Sequence, residues 1–269
     1  MKNFMSLKGN LRLMAAFPYR LILGTTGINV LNVGKSLRGL PAYLEDVIAY
    51  CSKHSSDQAF SLQFHNLHPC LSDRYSNAGV ASGDYFHQDL WAARKIFAAN
   101  PKEHWDIGSR LDGFIAHLLT FRSVNVIDIR TLESHIDGLT FHQGDVTALD
   151  IPDNSLESLS CLHAMEHIGL GRYGDPVDPM GYMKGILELQ RVLAQGGTLY
   201  FSVPIGRERV EFNAQRVFDP ATIIQAFSEL ELVDFSAVAE SGEFVLSANW
   251  QNFSYERRAC GLFVFKKSE

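Results

Sequence analysis

The chain has no excess of positive charge: 24 Lys and Arg stand against 30 Asp and Glu, a formal net charge of -6. Non-specific nucleic-acid binding draws most of its affinity from a basic surface, so no nucleic-acid partner is expected, although a local basic pocket is compatible with this balance. Cysteine is sparse. Cys51, Cys70, Cys161 and Cys260 are far apart and none has the spacing of a metal or redox pair. Thiols of that kind read as reduced, which implies a cytoplasmic protein. Long apolar runs are missing too. The most apolar early stretch, Leu11 to Val33, is interrupted by Pro18, Arg20 and several glycines. A membrane span needs roughly 20 mostly apolar residues, so none is expected, while a peripheral membrane contact stays open for this stretch. The N-terminus shows no secretory pattern, and the chain carries neither an internal repeat nor a low-complexity segment.

What is present is an ordinary globular composition over 269 residues, 46% hydrophobic and 20% charged. Two textures divide the chain. Residues 1–100 read as a mainly helical N-terminal extension or cap, with one helix opened by Pro41 and running through Cys51, and another over Asp84 to Ala99 ended by Asn100-Pro101. Residues 101–269 alternate short apolar runs with amphipathic segments. Strands are expected at His104–Ile107, Val124–Ile129, Leu139–His142, Leu156–Leu162, Thr198–Val203, Leu232–Val238 and Leu262–Phe265. Helices are expected at Leu111–Thr120, Tyr182–Leu193 (closed by Gly196-Gly197) and Pro220–Glu229. Repeated strand–helix alternation implies an α/β fold: a Rossmann-like, seven-stranded, mostly parallel sheet with helices on both faces.

In such sheets ligands bind beyond the carboxyl ends of the strands. Four strand ends here carry polar or glycine residues. After the first comes Asp106-Ile107-Gly108-Ser109-Arg110-Leu111-Asp112-Gly113; Gly108 lets backbone approach a ligand, or simply makes a tight turn. After the second comes Asp128-Ile129, 20 residues beyond Gly108, where a carboxylate accepts ribose hydroxyls or else caps a turn. Gly144-Asp145-Val146 follows the third strand, and an acid there suits an adenine edge. His163-Ala164-Met165-Glu166-His167 follows the fourth.

With these segments in order, residues 104–203 resemble a class I S-adenosylmethionine-dependent methyltransferase of the type 11 branch. The resemblance rests on Gly144-Asp145-Val146, Ile151-Pro152-Asp153-Asn154-Ser155-Leu156, Glu166-His167 and Arg191-Val192-Leu193-Ala194-Gln195-Gly196-Gly197-Thr198-Leu199. The runs Tyr85–Trp91 and Gly169–Pro176 resemble a little-characterised, domain-of-unknown-function subgroup. The resemblance implies S-adenosyl-L-methionine as cofactor, held by Asp106, Gly108, Ser109, Arg110, Asp128, Ile129, Asp145 and Val146. It departs from the family at one place. The acidic-x-Gly-x-Gly-x-Gly pattern has Arg110 and Asp112 at its second and third glycines, with Gly113 one place late. That departure keeps a second reading open, a non-catalytic binding or scaffold protein.

For methyl transfer to a hydroxyl, a neutral histidine is a suitable base, and His167 and then His163 are the candidates; a backbone-bonding role is equally compatible with either. Tyr85, His87, Glu166, Arg172, Tyr173, Arg207 and Arg216 are the expected substrate contacts, with Arg209 and Asp89 near them. Arginines suit phosphate or carboxylate, so the expected acceptor is a small molecule or glycan, such as a sugar phosphate in carbohydrate or polysaccharide biosynthesis; surface ion pairs would explain single arginines equally well. Two rival motifs are set aside. His163-x-x-Glu166-His167 matches an inverted zinc-protease pattern, but glycines follow at once where a continuous helix is required, so no metal is expected. Gly34-Lys35-Ser36 lacks the earlier glycine of a phosphate loop, where Asn29 stands.

Overall fold

The computed structural model describes residues 25, 26, 30–53, 60, 62–77, 79 and 81–268. Most of the Leu11–Val33 stretch falls outside them. No helix among the described residues is long and apolar enough to cross a membrane. The chain divides into two compact units between Val80 and Ala81.

In the first unit, helix α1 spans Val30–Lys53 and contains Gly34-Lys35-Ser36. The expectation that Pro41 opens a helix is corrected: Pro41 lies inside α1. Gly39 is buried, and the Leu71 carbonyl occupies the space a Cβ would need. Arg74 pairs with Asp46 and Arg38 lies over the Tyr75 ring.

The second unit begins with helix α2, Asp84–Ala99, which ends on Asn100 in the left-handed conformation. This helix, expected within the N-terminal region, belongs to the sheet-bearing unit. The remaining elements in order are β1 (Trp105–Ile107), a π-turn over Leu111–Ile115 leading into α3 (Ala116–Leu119), β2 (Val124–Asp128), β3 (Leu139–Gln143), β4 (Leu156–Leu162), α4 (Gly181–Val192), β5 (Leu193–Ile205), β6 (Arg209–Glu211), β7 (Gln215–Val217), α5 (Pro220–Ala226), β8 (Leu230–Val238), β9 (Phe244–Val245) and β10 (Ala259–Lys267).

The main sheet runs β3-β2-β1-β4-β5-β10-β8-β9. Strands β1 to β5 pair in parallel, and β10 enters between β5 and β8 antiparallel to both. This is the expected Rossmann-like sheet, with β9 added as a two-residue edge and β6–β7 forming a separate hairpin. Alternation along β5 explains why both faces are covered. Leu199, Phe201 and Val203 point into the core beneath α4 and α5, which contribute Ile186, Leu189 and Ile223. Tyr200 points the other way, into a core built from Trp91, Ile96, Phe114 and Leu118. Strand order reverses beside β1, between β2 on one side and β4 on the other, and the ligand crevice of such a sheet opens there.

Candidate functional site

The tips of β1, β2, β3 and β4 enclose a cavity of about 430 Å³. Gly108, Asp128, Ile129, Asp145 and Val146 all line it, as do Tyr85, Arg110, His163, His167, Arg172 and Tyr173. Its apolar floor includes Ile107, Ile127, Leu162 and Met165.

The glycine turn is built from beneath. Asp106 is fully buried; its Oδ1 accepts the Ser109 backbone N–H at 3.0 Å, and its Oδ2 accepts the hydroxyls of Ser109 at 2.6 Å and Ser160 at 2.5 Å. Burial raises its pKa to about 6 against the opposing effect of these hydrogen bonds. Asp106 and Ser109 therefore shape the loop and do not line the cavity. Gly108 has φ +71° and a Cβ there would stand 2.9 Å from that of Ala164, so both conformation and space call for glycine. Arg110 and Asp112 do not fill the cavity with an unpaired charge. They form a two-bond pair of 2.9 and 3.1 Å at the rim, where Arg110 also lies 5.0 Å from the Tyr85 ring.

Asp145 Oδ1 accepts from both the backbone N–H and the hydroxyl of Thr147 at 2.8 Å, which orients the carboxylate after β3. Asp128 is more constrained. Its side chain is 14% exposed and Arg130 donates three hydrogen bonds to it.

The segment after β4 is a short 3₁₀ turn, Met165–His167, entered through His163 at φ +51°. It is not the continuous helix a zinc-protease pattern requires. Among the described residues no group of three or more His, Cys, Asp or Glu is placed to hold a metal ion. Glu166 is 1% exposed and neither carboxyl oxygen makes a hydrogen bond of good geometry; His163 Nδ1 lies 3.3 Å and His167 Nε2 3.6 Å from Oε1. Burial pushes Glu166 up to about 8, His163 down to about 3 and His167 down to about 4, with Arg172 reinforcing the last. All three are therefore neutral near pH 7. His167 Nδ1 donates to the Ala214 carbonyl at 2.7 Å, which leaves Nε2 as an unprotonated acceptor, 3.4 Å from an Arg172 terminal nitrogen and 3.6 Å from Glu166 Oε1. His163 Nε2 meets Cys260 Sγ at 3.2 Å.

Several expected contacts lie elsewhere. Glu166 sits behind the cavity wall. His87 stacks on Phe244. Arg207 donates to the Tyr255 carbonyl. Arg209 pairs with Glu211. Arg216 is buried under Tyr182, donating to the Ile168 and Pro179 carbonyls, and lines a second cleft with Glu208 and Phe218. Asp89 is buried against Gly113. Conversely, Arg130 and Lys184, which were not among the expected site residues, line the main cavity. Arg130 lies two residues beyond Asp128, in the bend that follows β2, where the Asp128 carboxylate accepts its backbone N–H. Lys184 pairs with Asp178.

No curated protein matches the chain. Among solved structures, it is similar to the N-methyltransferase NodS from Bradyrhizobium japonicum in complex with S-adenosyl-L-homocysteine, at 14% identity over 69% of this chain and 88% of that one, with a TM-score of 0.46. It is similar to an S-adenosylmethionine-dependent methyltransferase from Clostridium acetobutylicum, at 13% identity over 70% and 94%, TM-score 0.46. A third, the YcgJ protein from Bacillus subtilis, has 14% identity over 68% and 99%, TM-score 0.48. Residues 148–267 match DUF268, a family described as a Caenorhabditis protein of unknown function. The matched segment starts beyond Asp145, so the glycine turn and the carboxylates after β2 and β3 lie outside it.

Proposed function

We propose that this chain is an S-adenosylmethionine-dependent methyltransferase that acts on a hydroxyl of a small-molecule or glycan acceptor bearing a phosphate or carboxylate. One observation carries the reading: Gly108, Asp128 and Asp145, from three separate strand tips, line a single cavity with an apolar floor. The residues fit the cofactor. Gly108 leaves room for a close backbone approach, Asp128 suits a ribose diol, and Asp145 with Val146 suits an adenine edge. The bound cofactor supplies a sulfonium methyl group for in-line transfer to oxygen.

The protein's own part is to place the acceptor and take its proton. His167 is the base in this reading. Its Nδ1–H is fixed on the Ala214 carbonyl, so Nε2 keeps its lone pair. Burial, reinforced by Arg172, holds the ring neutral. An acceptor anion paired with Arg172 would remove that opposing charge and raise the basicity of His167 when substrate is in place. Glu166 Oε1 lies 3.6 Å from Nε2 and makes no hydrogen bond to it, so the lone pair stays available to the acceptor.

A second reading, a binding or scaffold protein, has one observation in its favour: Arg130 already occupies the Asp128 carboxylate. Titration calorimetry with S-adenosylmethionine and S-adenosylhomocysteine separates the two. The enzyme reading expects binding that is lost in Asp128→Ala; absence of binding by either compound at millimolar concentration supports the scaffold.

A further inference from the structure

The carboxylate after β2 does not face the cavity bare. Arg130 donates its backbone N–H to Asp128 Oδ1 at 2.8 Å, its Nε to the same oxygen at 2.9 Å, and a terminal nitrogen to Oδ2 at 2.6 Å. Both oxygens that a ribose diol would need are engaged. The pair is half open to solvent on the arginine side, at 53% exposure, so water screening keeps it weak enough to exchange.

The same guanidinium has a second neighbour. Its carbon lies 4.6 Å from the centre of the Tyr173 ring, and that of Arg172 lies 5.1 Å from the same ring. Arg172 donates to the Ala214 carbonyl at 2.8 Å and has no carboxylate partner among the described residues. Two cations are thus gathered at one aromatic ring on the cavity wall, and Asp128 is the carboxylate that neutralises one of them. A planar guanidinium matches a carboxylate or phosphate equally well, so Arg130 can trade one for the other without leaving the ring.

We infer that Arg130 is an exchange residue: a ribose that takes Asp128 releases it, and Arg130 then joins Arg172 at Tyr173 as a two-guanidinium site for a phosphate or carboxylate on the acceptor. This rests on the cavity being the adenosine site. Emptied of nucleotide, the cavity keeps Arg130 on Asp128 and the anion site half-built; filled, it offers both arginines. The two ligands are therefore coupled, and linkage requires each to tighten the other by the same factor.

The test is titration calorimetry of the full chain with S-adenosylhomocysteine and inorganic phosphate, at ionic strength held constant with chloride. Phosphate should tighten S-adenosylhomocysteine about fivefold or more, and the converse should hold equally. Arg130→Met should bind S-adenosylhomocysteine at least as well as the parent, because Asp128 is freed, and should lose the coupling. Arg172→Met should keep S-adenosylhomocysteine binding and lose phosphate. The inference is overturned, with the adenosine reading intact, if S-adenosylhomocysteine binds and phosphate leaves it unchanged or competes with it. It is equally overturned if Arg130→Met keeps the coupling, or binds the nucleotide more weakly. Failure of S-adenosylhomocysteine to bind both the parent and Arg130→Met overturns the adenosine reading and the inference together.

Discussion

Asp89 on α2 and Gly113 in the turn after β1 share one space: a Cβ on Gly113 would stand 2.5 Å from Asp89 Oδ2. This accounts for the glycine that falls one place late in the motif. It serves the packing of α2 on the π-turn, while the cavity is served by Gly108. Asp89 is buried, holds a hydrogen bond from Gln88 at 3.1 Å, and has its pKa raised by that burial.

Gly113→Ala should therefore destabilise the protein by about 1–3 kcal/mol, the usual cost of overfilling a packed site. The denaturation midpoint should drop without a change in slope. The double variant Gly113→Ala with Asp89→Ala should lose less than the sum of the two singles, because the second change removes the atom that the first one strikes. Strict additivity would show that the two residues do not meet.

Much of the fold was legible because β1 to β4 are short runs that end at, or lead straight into, a polar or glycine residue. Leu156–Leu162 and Asp84–Ala99 coincide with their expected spans. The β6–β7 hairpin was not legible, since Arg209–Glu211 and Gln215–Val217 are three-residue strands rich in charge with no apolar run. Gly196-Gly197 was expected as a helix cap, yet α4 stops at Val192 and both glycines fall in the span of β5, with Gly196 at φ +73°. At the site, the strand tips could be placed from spacing alone. The surroundings of Glu166 could not, because Cys260, Ala214 and Arg216 reach the Glu166–His167 turn and His163 from 47 to 97 residues away.

The buried trio after β4 has a pH signature. Glu166 holds its proton to about pH 8 when folded, against an ordinary value of 4.5, so the folded state binds more protons across that window. Stability must then fall as pH rises through it, with a slope approaching about 1.4 kcal/mol per pH unit. His163 and His167, lowered to about 3 and 4, act in the opposite sense, and their contribution is lost as pH falls below 6.5. Between pH 6.5 and 8 the Glu166 effect stands nearly alone. Denaturant titrations there should show declining stability in the parent and a flat profile in Glu166→Gln. A decline of equal slope in the variant would show that Glu166 is ionised in the folded protein.

Beneath the glycine turn, hydrogen bonds assign a tautomer. The Ser160 hydroxyl donates to Asp106, so at 3.0 Å it must accept from His104 Nε2–H, and His104 Nδ1 then accepts from the Ser158 hydroxyl at 2.8 Å. Burial lowers His104 to about 3, which keeps it neutral. Nitrogen NMR should report the Nε2–H form at pH 7. Ser160→Ala should cost about 1–3 kcal/mol, because it strands a buried ring N–H and removes one donor from a buried carboxylate. An Nδ1–H signal would reverse the direction of this chain of bonds and contradict the assignment.

Gly108 separates two causes that usually act together. Its φ of +71° disfavours any residue with a Cβ, by about 1–2 kcal/mol, and the 2.9 Å approach to the Ala164 Cβ adds a contact penalty. Gly108→Ala carries both costs. In an Ala164→Gly background the contact partner is gone and only the backbone cost remains. The difference between the two measurements, by chemical denaturation, isolates the contact. A residual cost near zero in the second background would mean that the turn relaxes to an ordinary conformation once room is made, so that closeness to β4 is what requires glycine there. A residual cost near the full value would place the requirement in the backbone itself.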